Sequence, residues 1–209
     1  MTSVLDRLAA YRLVPVVVLD RVEDAGPLGQ ALKAGGLPCA EVTFRTAAAE
    51  DAIRELSKDA DLLVGAGTVV RADQVDVAVA AGAAFIVSPG FSASVVLRCQ
   101  QVGVPVLPGV ATPSEVMVAL DAGLDVVKFF PAETLGGVAA LRAMSAPFAG
   151  MRFVPTGGVS AANLGDYLAL GSVLAVGGSW MVAPSMVRAG AFDEVTRLTA
   201  EAVSMAQAS

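Results

Sequence analysis

Eight short runs rich in β-branched residues alternate with longer Ala-rich segments of helical periodicity along this 209-residue chain. The predicted strands are residues 13–19, 39–44, 61–66, 84–88, 105–108, 124–129, 151–155 and 173–177. The predicted helices are residues 22–34, 47–58, 73–81, 92–102, 113–122, 138–144, 161–170 and 192–205. Short strands that alternate with helices indicate parallel βαβ units, because parallel neighbours need a long crossover connection.

No linker and no shift of composition interrupts the eight units, which favours one α/β domain over residues 1–209. We expect a single (β/α)8 TIM barrel, with an additional N-terminal helix over Ser3–Tyr11 that covers the bottom of the barrel. An open doubly wound sheet is the alternative, since it is built from the same units. In a barrel the active site lies at the carboxyl ends of the strands, so those ends are where site residues are sought.

The formal net charge of −6 limits the partners of this chain. Nucleic acids and anionic membranes attract basic surfaces, so we expect neither as a partner. No apolar run approaches the roughly 18 residues of a membrane span. The first residues lack the basic and apolar regions of a signal peptide. We therefore expect a cytoplasmic protein.

The chain contains no histidine, and this absence removes several kinds of active site. Ser-His and Cys-His nucleophile pairs are excluded, as are catalytic zinc sites built on histidine. Cys39 and Cys99 lie far apart and form no CxxC motif, so both are interpreted as buried thiols. Proton transfer must therefore depend on Glu, Asp, Lys, Tyr or water.

One of the three lysines, Lys128, stands in the middle of the apolar run Val126–Phe130. Side chains in a strand alternate between faces, so Lys128 should point into the barrel together with Val126 and Phe130. Desolvation favours the neutral amine, and a neutral amine can attack a ketone to form a Schiff base. The iminium that results can accept the electron pair of a breaking C–C bond.

The second predicted strand carries charged residues with the same periodicity. Glu41, Thr43 and Arg45 fall on one face, which should point inward because the other face carries Val42 and Phe44. An acid, an arginine and Lys128 would then meet near the barrel mouth. An internal salt-bridge network that only satisfies itself is the alternative interpretation.

Glycine-rich turns end the remaining strands. The last two strands run into PTGGV (155–159) and VGGSW (176–180), at the two loops that often bind phosphate in this architecture. Adjacent glycines let backbone N–H groups converge on an anion, so we predict a phosphate site, although either pair alone fits a plain turn. The third strand ends in GAGTV (65–69), a weak signal, and SPG (88–90) and PG (108–109) are interpreted as turns.

With these residues in place, the sequence resembles the 2-keto-3-deoxy-6-phosphogluconate (KDPG) aldolase family, which includes 4-hydroxy-2-oxoglutarate aldolase activity. The resemblance covers nearly the whole chain, and Phe44 differs from the leucine that is common there. It is carried by EVTFRT (41–46), GAGTV (65–69), SPG (88–90), VKFFPAE (127–133), PTGG (155–158) and GGSW (177–180).

The resemblance implies a role for each site residue. Lys128 would form the Schiff base, and Glu41 would transfer protons directly or through a water. The carboxylate and the rest of the pyruvate moiety would contact Arg45, Thr68, Pro89 and Phe130. The middle hydroxyls of the substrate would contact Thr156, and the phosphate would bind Gly157, Gly158 and Ser179.

The resemblance also implies a homotrimer of barrels that needs no metal ion and no organic cofactor. The substrate would be a phosphorylated 2-oxo acid, KDPG, which is cleaved to pyruvate and glyceraldehyde 3-phosphate. Two alternatives stay open. The same chemistry could prefer 4-hydroxy-2-oxoglutarate or the 6-phosphogalactonate epimer, or the chain could be a barrel that isomerises or senses sugar phosphates. The last alternative gives Lys128 no role.

Overall fold

A computed structural model describes residues 3–208 of the chain. Its strands are β1 Leu13–Val17, β2 Cys39–Thr43, β3 Leu63–Gly67, β4 Phe85–Val87, β5 Val106–Leu107, β6 Gly109–Val110, β7 Val126–Phe129, β8 Arg152–Pro155 and β9 Val176–Gly178. Its α-helices are α1 Val4–Tyr11, α2 Ala25–Ala34, α3 Ala49–Leu56, α4 Ala72–Ala80, α5 Ala93–Val102, α6 Pro113–Asp121, α7 Gly137–Ser145, α8 Leu164–Leu168, α9 Pro184–Arg188 and α10 Phe192–Ala208. Two short 3-10 helices span Val22–Asp24 and Trp180–Val182.

The strands form two parallel sheets. Six strands pair in the order β5-β4-β3-β2-β1-β9, and three pair in the order β6-β7-β8. Pro108 separates β5 from β6, where its missing N–H cannot take part in a ladder. Isolated parallel bridges join Phe153 to Val173 and Thr156 to Gly177. The chain therefore has an α/β fold with a curled parallel sheet.

The predicted elements are present, with differences at their ends. The eighth predicted strand begins at Val176 rather than Val173, since Val173 makes only an isolated bridge. Helix α9 is an additional element that the sequence analysis did not predict. The N-terminal helix α1 is confirmed, and Ser3 and Asp6 cap it by exchanging two hydrogen bonds of 3.1 Å between side chain and backbone.

The strands are buried on both of their faces. Every residue of β1, β2 and β3 is buried, because helices cover the outer face of a parallel sheet. Most buried residues are Val, Leu, Ala and Phe. Glu41 and Lys128 differ from them because they are charged and still buried within strands. Within residues 3–208, no helix is long and apolar enough to cross a membrane.

Candidate active site

A cavity of about 230 Å³ opens at the carboxyl ends of β1, β8 and β9. It is lined by six of the ten residues predicted for the site, namely Arg45, Phe130, Thr156, Gly157, Gly158 and Ser179. Val16 and Val18 form an apolar part of the wall. These two valines were not among the predicted site residues, although the period-two alternation of the first strand puts them on one face.

Lys128 and Glu41 lie together inside the fold. Lys128 is 5 % exposed and Glu41 is 3 % exposed. The Lys128 Nζ is 3.5 Å from Glu41 Oε1, and within residues 3–208 this oxygen has no hydrogen-bond partner. The amine also lies 5.0 Å from the centre of the Phe130 ring, which lines the cavity. An acid and an amine therefore face each other beside the cavity, as the alternation in both strands predicts.

Gly67 makes the room that the Glu41 carboxylate occupies. It lies on β3, next to β2, in register with Thr43. A Cβ atom at Gly67 would lie 2.2 Å from Glu41 Oε1 and 2.7 Å from Glu41 Cγ. In the sequence, the GAGTV segment is a weak signal, and nothing in it connects this glycine with Glu41. Thr43 itself has a structural part, since its hydroxyl donates to Val17 O at 3.0 Å.

Arg45 reaches the cavity from beyond the end of β2. The predicted alternation puts it on one face with Glu41 and Thr43, but the strand stops at Thr43, and Arg45 N donates to Thr43 O at 2.8 Å. The residue is exposed and lines the cavity. Its guanidinium forms no hydrogen bond or ion pair with any residue between 3 and 208. It is therefore free to bind a carboxylate with charge-assisted hydrogen bonds.

Thr68 and Pro89 follow β3 and β4 and are partly buried, outside the residues that line the cavity. Thr68 has a left-handed backbone with φ of 59°, which is rare for a β-branched residue and is found mostly where the surroundings hold it. The backbone of Pro89 lies close to β6, because a Cβ at Gly109 would lie 2.2 Å from Pro89 O. Both loops are thus held tightly at the strand ends.

The loop after β8 presents glycine backbone to the cavity. Gly157 and Gly158 have φ of 99° and 82°, values that glycine adopts without strain. Thr156 is buried and forms a parallel bridge to Gly177, and Ser179 follows Gly177 at the end of β9 and lines the same cavity. Backbone N–H groups and a hydroxyl at converging strand ends form the kind of surface that binds phosphate.

Residues 4–198 match the sequence model of KDPG and KHG aldolases. This chain belongs to the KDPG and KHG aldolase family. It is 49% identical over 206 residues to a 2-dehydro-3-deoxy-phosphogluconate aldolase of Treponema pallidum, a match that covers 98% of each chain. It is 46% identical over 207 residues to a KHG/KDPG aldolase of Escherichia coli strain K12, covering 99% of this chain and 97% of that one.

A solved structure of a KDPG aldolase from Legionella pneumophila superposes on this aldolase-family chain with a TM-score of 0.91. The two are 41% identical, and the match covers 94% of this chain and 96% of the other. That crystal structure holds pyruvate captured as a covalent carbinolamine intermediate. The fold of this chain is thus the fold of an aldolase that forms a covalent bond to pyruvate.

Proposed function

We propose that this protein is a class I aldolase that cleaves KDPG to pyruvate and glyceraldehyde 3-phosphate. The observation that carries the proposal is the buried Lys128 amine, 3.5 Å from a Glu41 oxygen that lacks a hydrogen-bond partner within residues 3–208. Membership of the aldolase family and the names of the relatives support it. A barrel that only senses or isomerises sugar phosphates has no use for this pair.

In the proposed mechanism, the substrate is first positioned and then bound covalently. Arg45 binds the carboxylate, with Thr68, Pro89 and Phe130 around the pyruvate moiety. The Lys128 amine attacks the C2 ketone to form a carbinolamine. Glu41 moves a proton from the attacking nitrogen to the former ketone oxygen, and a second proton, delivered through Glu41 from water, lets the hydroxyl depart as water and leaves an iminium.

Cleavage follows from the iminium. Glu41, directly or through a water, removes the proton of the C4 hydroxyl. The C3–C4 bond breaks, its electron pair moves to the iminium nitrogen, and glyceraldehyde 3-phosphate leaves. The remaining enamine is protonated at C3, and water then hydrolyses the iminium, which frees pyruvate and regenerates Lys128. These steps need proton transfer and no redox change.

The far end of the substrate would be held at the same time. Gly157, Gly158 and Ser179 bind the phosphate in this proposal, and Thr156 contacts the middle hydroxyls. Because both ends of the substrate are held, the C3–C4 bond is oriented for cleavage next to the iminium. This orientation lowers the entropic part of the activation barrier.

We also propose that the two sheets form one closed eight-stranded barrel. In this view β5 and β6 are one strand interrupted by Pro108, and the bridges from Phe153 and Thr156 close the gap between β8 and β9. The pairing of β1 with β9 supports this arrangement.

We also propose that the protein is a homotrimer and that it acts on a small-molecule substrate in the cytoplasm. Large apolar side chains that are exposed on α5 and α6 support an assembly, namely Leu97, Met117, Val118 and Leu120. Sedimentation should give the mass of a trimer for the wild type. Met117→Lys should shift it towards a monomer.

The same residues suit a second substrate, 4-hydroxy-2-oxoglutarate. The double name of the Escherichia coli relative favours it. Arg45, Lys128 and Glu41 would act on this acid as they act on KDPG, without the phosphate contacts. We therefore expect activity on both acids, with the lower KM for KDPG.

Borohydride reduction in the presence of pyruvate tests the proposal. Intact-mass and peptide mass spectrometry should find one pyruvate adduct, on Lys128. The other two lysines, Lys33 and Lys58, pair with surface carboxylates and serve as internal controls that stay unmodified. Lys128→Ala should stay folded, form no adduct and lose KDPG turnover. A folded wild type without an adduct at saturating pyruvate would refute the Schiff-base mechanism.

A further inference from the structure

Tyr167 and Glu133 form a hydrogen bond that the mechanism above does not use. Tyr167 on α8 is completely buried, and its hydroxyl donates to Glu133 Oε1 on the loop after β7. Burial, and next the hydrogen bond to Glu133, hold the pKa of the Tyr167 hydroxyl above its ordinary value. The hydroxyl therefore stays protonated and remains a donor at neutral pH.

Two glycines lie close to the side chain of Glu133, a residue that is exposed on its remaining side. A Cβ at Gly158 would lie 2.6 Å from Glu133 Cβ, so the acid lies directly against the predicted phosphate loop. A Cβ at Gly137 would lie 3.0 Å from Glu133 Oε1 and 3.4 Å from the Tyr167 hydroxyl. Gly137 is the first residue of α7, and a carboxylate is stabilised near a helix N-terminus.

The backbone at Glu133 joins the lysine strand to the same loop. Glu133 N donates to Gly157 O at 3.0 Å, and Ala132 N donates to Thr156 O at 2.8 Å. Ala132 lies four residues after Lys128 along the chain. The position of the Gly157–Gly158 loop relative to Lys128 therefore depends on where Glu133 is held.

We propose that Tyr167 and Glu133 are positioning residues that set the distance between Lys128 and the phosphate loop. They act on the loop through backbone and side-chain packing and touch no substrate atom. This inference rests on the proposed function, because it takes the loop as the phosphate site. Its consequence is selective: because the same contacts also fix the shape of the loop, it affects every ligand that binds there, KDPG or inorganic phosphate, and it spares a shorter acid that binds only near Lys128.

Kinetics on two substrates test the inference. Tyr167→Phe removes the donor and keeps the ring that fills the core. It should raise KM for KDPG by up to about tenfold, since the effect on the loop is limited by the free energy of the one hydrogen bond to a charged group that is lost. The kcat for KDPG and both constants for 4-hydroxy-2-oxoglutarate should change little. Glu133→Gln keeps an acceptor oxygen for Tyr167 and should have a smaller effect than Glu133→Ala.

The matched control is Tyr11→Phe, which removes the hydroxyl of the only other tyrosine, on α1 next to Arg7. It should leave all constants unchanged. The affinity for inorganic phosphate, measured by titration calorimetry, should fall in Tyr167→Phe and not in Tyr11→Phe. This readout does not depend on the Schiff base, so a wild type without a pyruvate adduct would refute the proposed function and still leave the inference tested.

Three results would overturn the inference. An equal loss on both substrates would show that the hydrogen bond serves overall stability. Unchanged phosphate affinity in Tyr167→Phe would show that the loop does not depend on it. A wild type that binds no phosphate would show that the loop is not a phosphate site. The melting temperatures of all variants show whether a loss of activity or phosphate affinity comes from unfolding instead.

Discussion

Oε1 of Glu41 lies 3.5 Å from Nζ of Lys128 and lacks any hydrogen-bond partner within residues 3–208. A buried carboxylate oxygen without a partner costs free energy, and such atoms in proteins usually contact a water or a ligand. Glu41 Oε1 can therefore accept a hydrogen bond from a substrate hydroxyl or a water near Nζ, and proton transfer at the amine requires such a contact.

Glu41→Gln should slow KDPG turnover by about 10²–10⁴-fold, the usual contribution of a general acid–base group. The amide fills the same space, so the fold and the binding of pyruvate should persist. Steady-state kcat together with a pyruvate-binding titration checks this. A variant that turns over at the wild-type rate would assign proton transfer to another group.

Gly67→Ala, on the neighbouring strand, should displace the same Glu41 carboxylate. The added Cβ would lie 2.2 Å from Glu41 Oε1, and the buried side chain has little room to move away. We expect kcat to fall about 10²-fold, towards the level without the acid–base group. Gly26→Ala on α2 is the control, because its Cβ meets nothing within 4 Å and alanine suits a helix. Equal activity of the two variants would contradict the contact.

Ser179→Ala should weaken the phosphate end of the site. Ser179 lines the same cavity as Gly157 and Gly158. The loss of one hydrogen bond to a charged phosphate predicts a KM for KDPG about tenfold higher. The KM for 4-hydroxy-2-oxoglutarate should stay the same. If both values rise equally, the loop after β9 is not the phosphate site.

The thiols of Cys39 and Cys99 should be unreactive in the folded protein. Both are buried, and burial raises the pKa of the Cys99 thiol to about 11. At pH 8 the reactive thiolate is therefore scarce as well as inaccessible. Titration with a thiol reagent should count no reactive thiols in the native protein and two after denaturation. Fast labelling of the native protein at pH 8 would show that a thiol is exposed.

The meeting of Glu41 and Lys128 could be predicted because strand geometry is local. Each residue lies inside an apolar run, and the period of two decides which face it takes. Arg45 was harder, since the same counting assumes that the strand continues past Thr43, where the chain in fact turns. The role of Gly67 could not be read at all. That role depends on how β2 and β3 are aligned, because the alignment brings the Glu41 side chain next to Gly67.

The order of strands and helices was predictable from periodicity, but several boundaries were not. The fifth predicted strand is interrupted at Pro108. The strand before this proline, β5, pairs with β4, and the strand after it, β6, pairs with β7. Helix α9 has only five residues, too few for a helical period to show in the sequence. The bond between Tyr167 and Glu133 joins residues 34 positions apart, and only the packed fold brings them together.

The different depths of Arg45 and Lys128 determine the order in which an approaching molecule meets them. Arg45 is exposed at the cavity, whereas Lys128 is 5 % exposed behind it. In the proposed mechanism, an incoming acid therefore meets the positive charge of Arg45 before it reaches the Lys128 amine. A neutral aldehyde or ketone has no carboxylate for Arg45 to bind and would stay near the amine for a shorter time. Under that mechanism, the burial of Lys128 would protect its nitrogen from condensation with carbonyl compounds that lack a carboxylate, while acids that bear a keto group are retained.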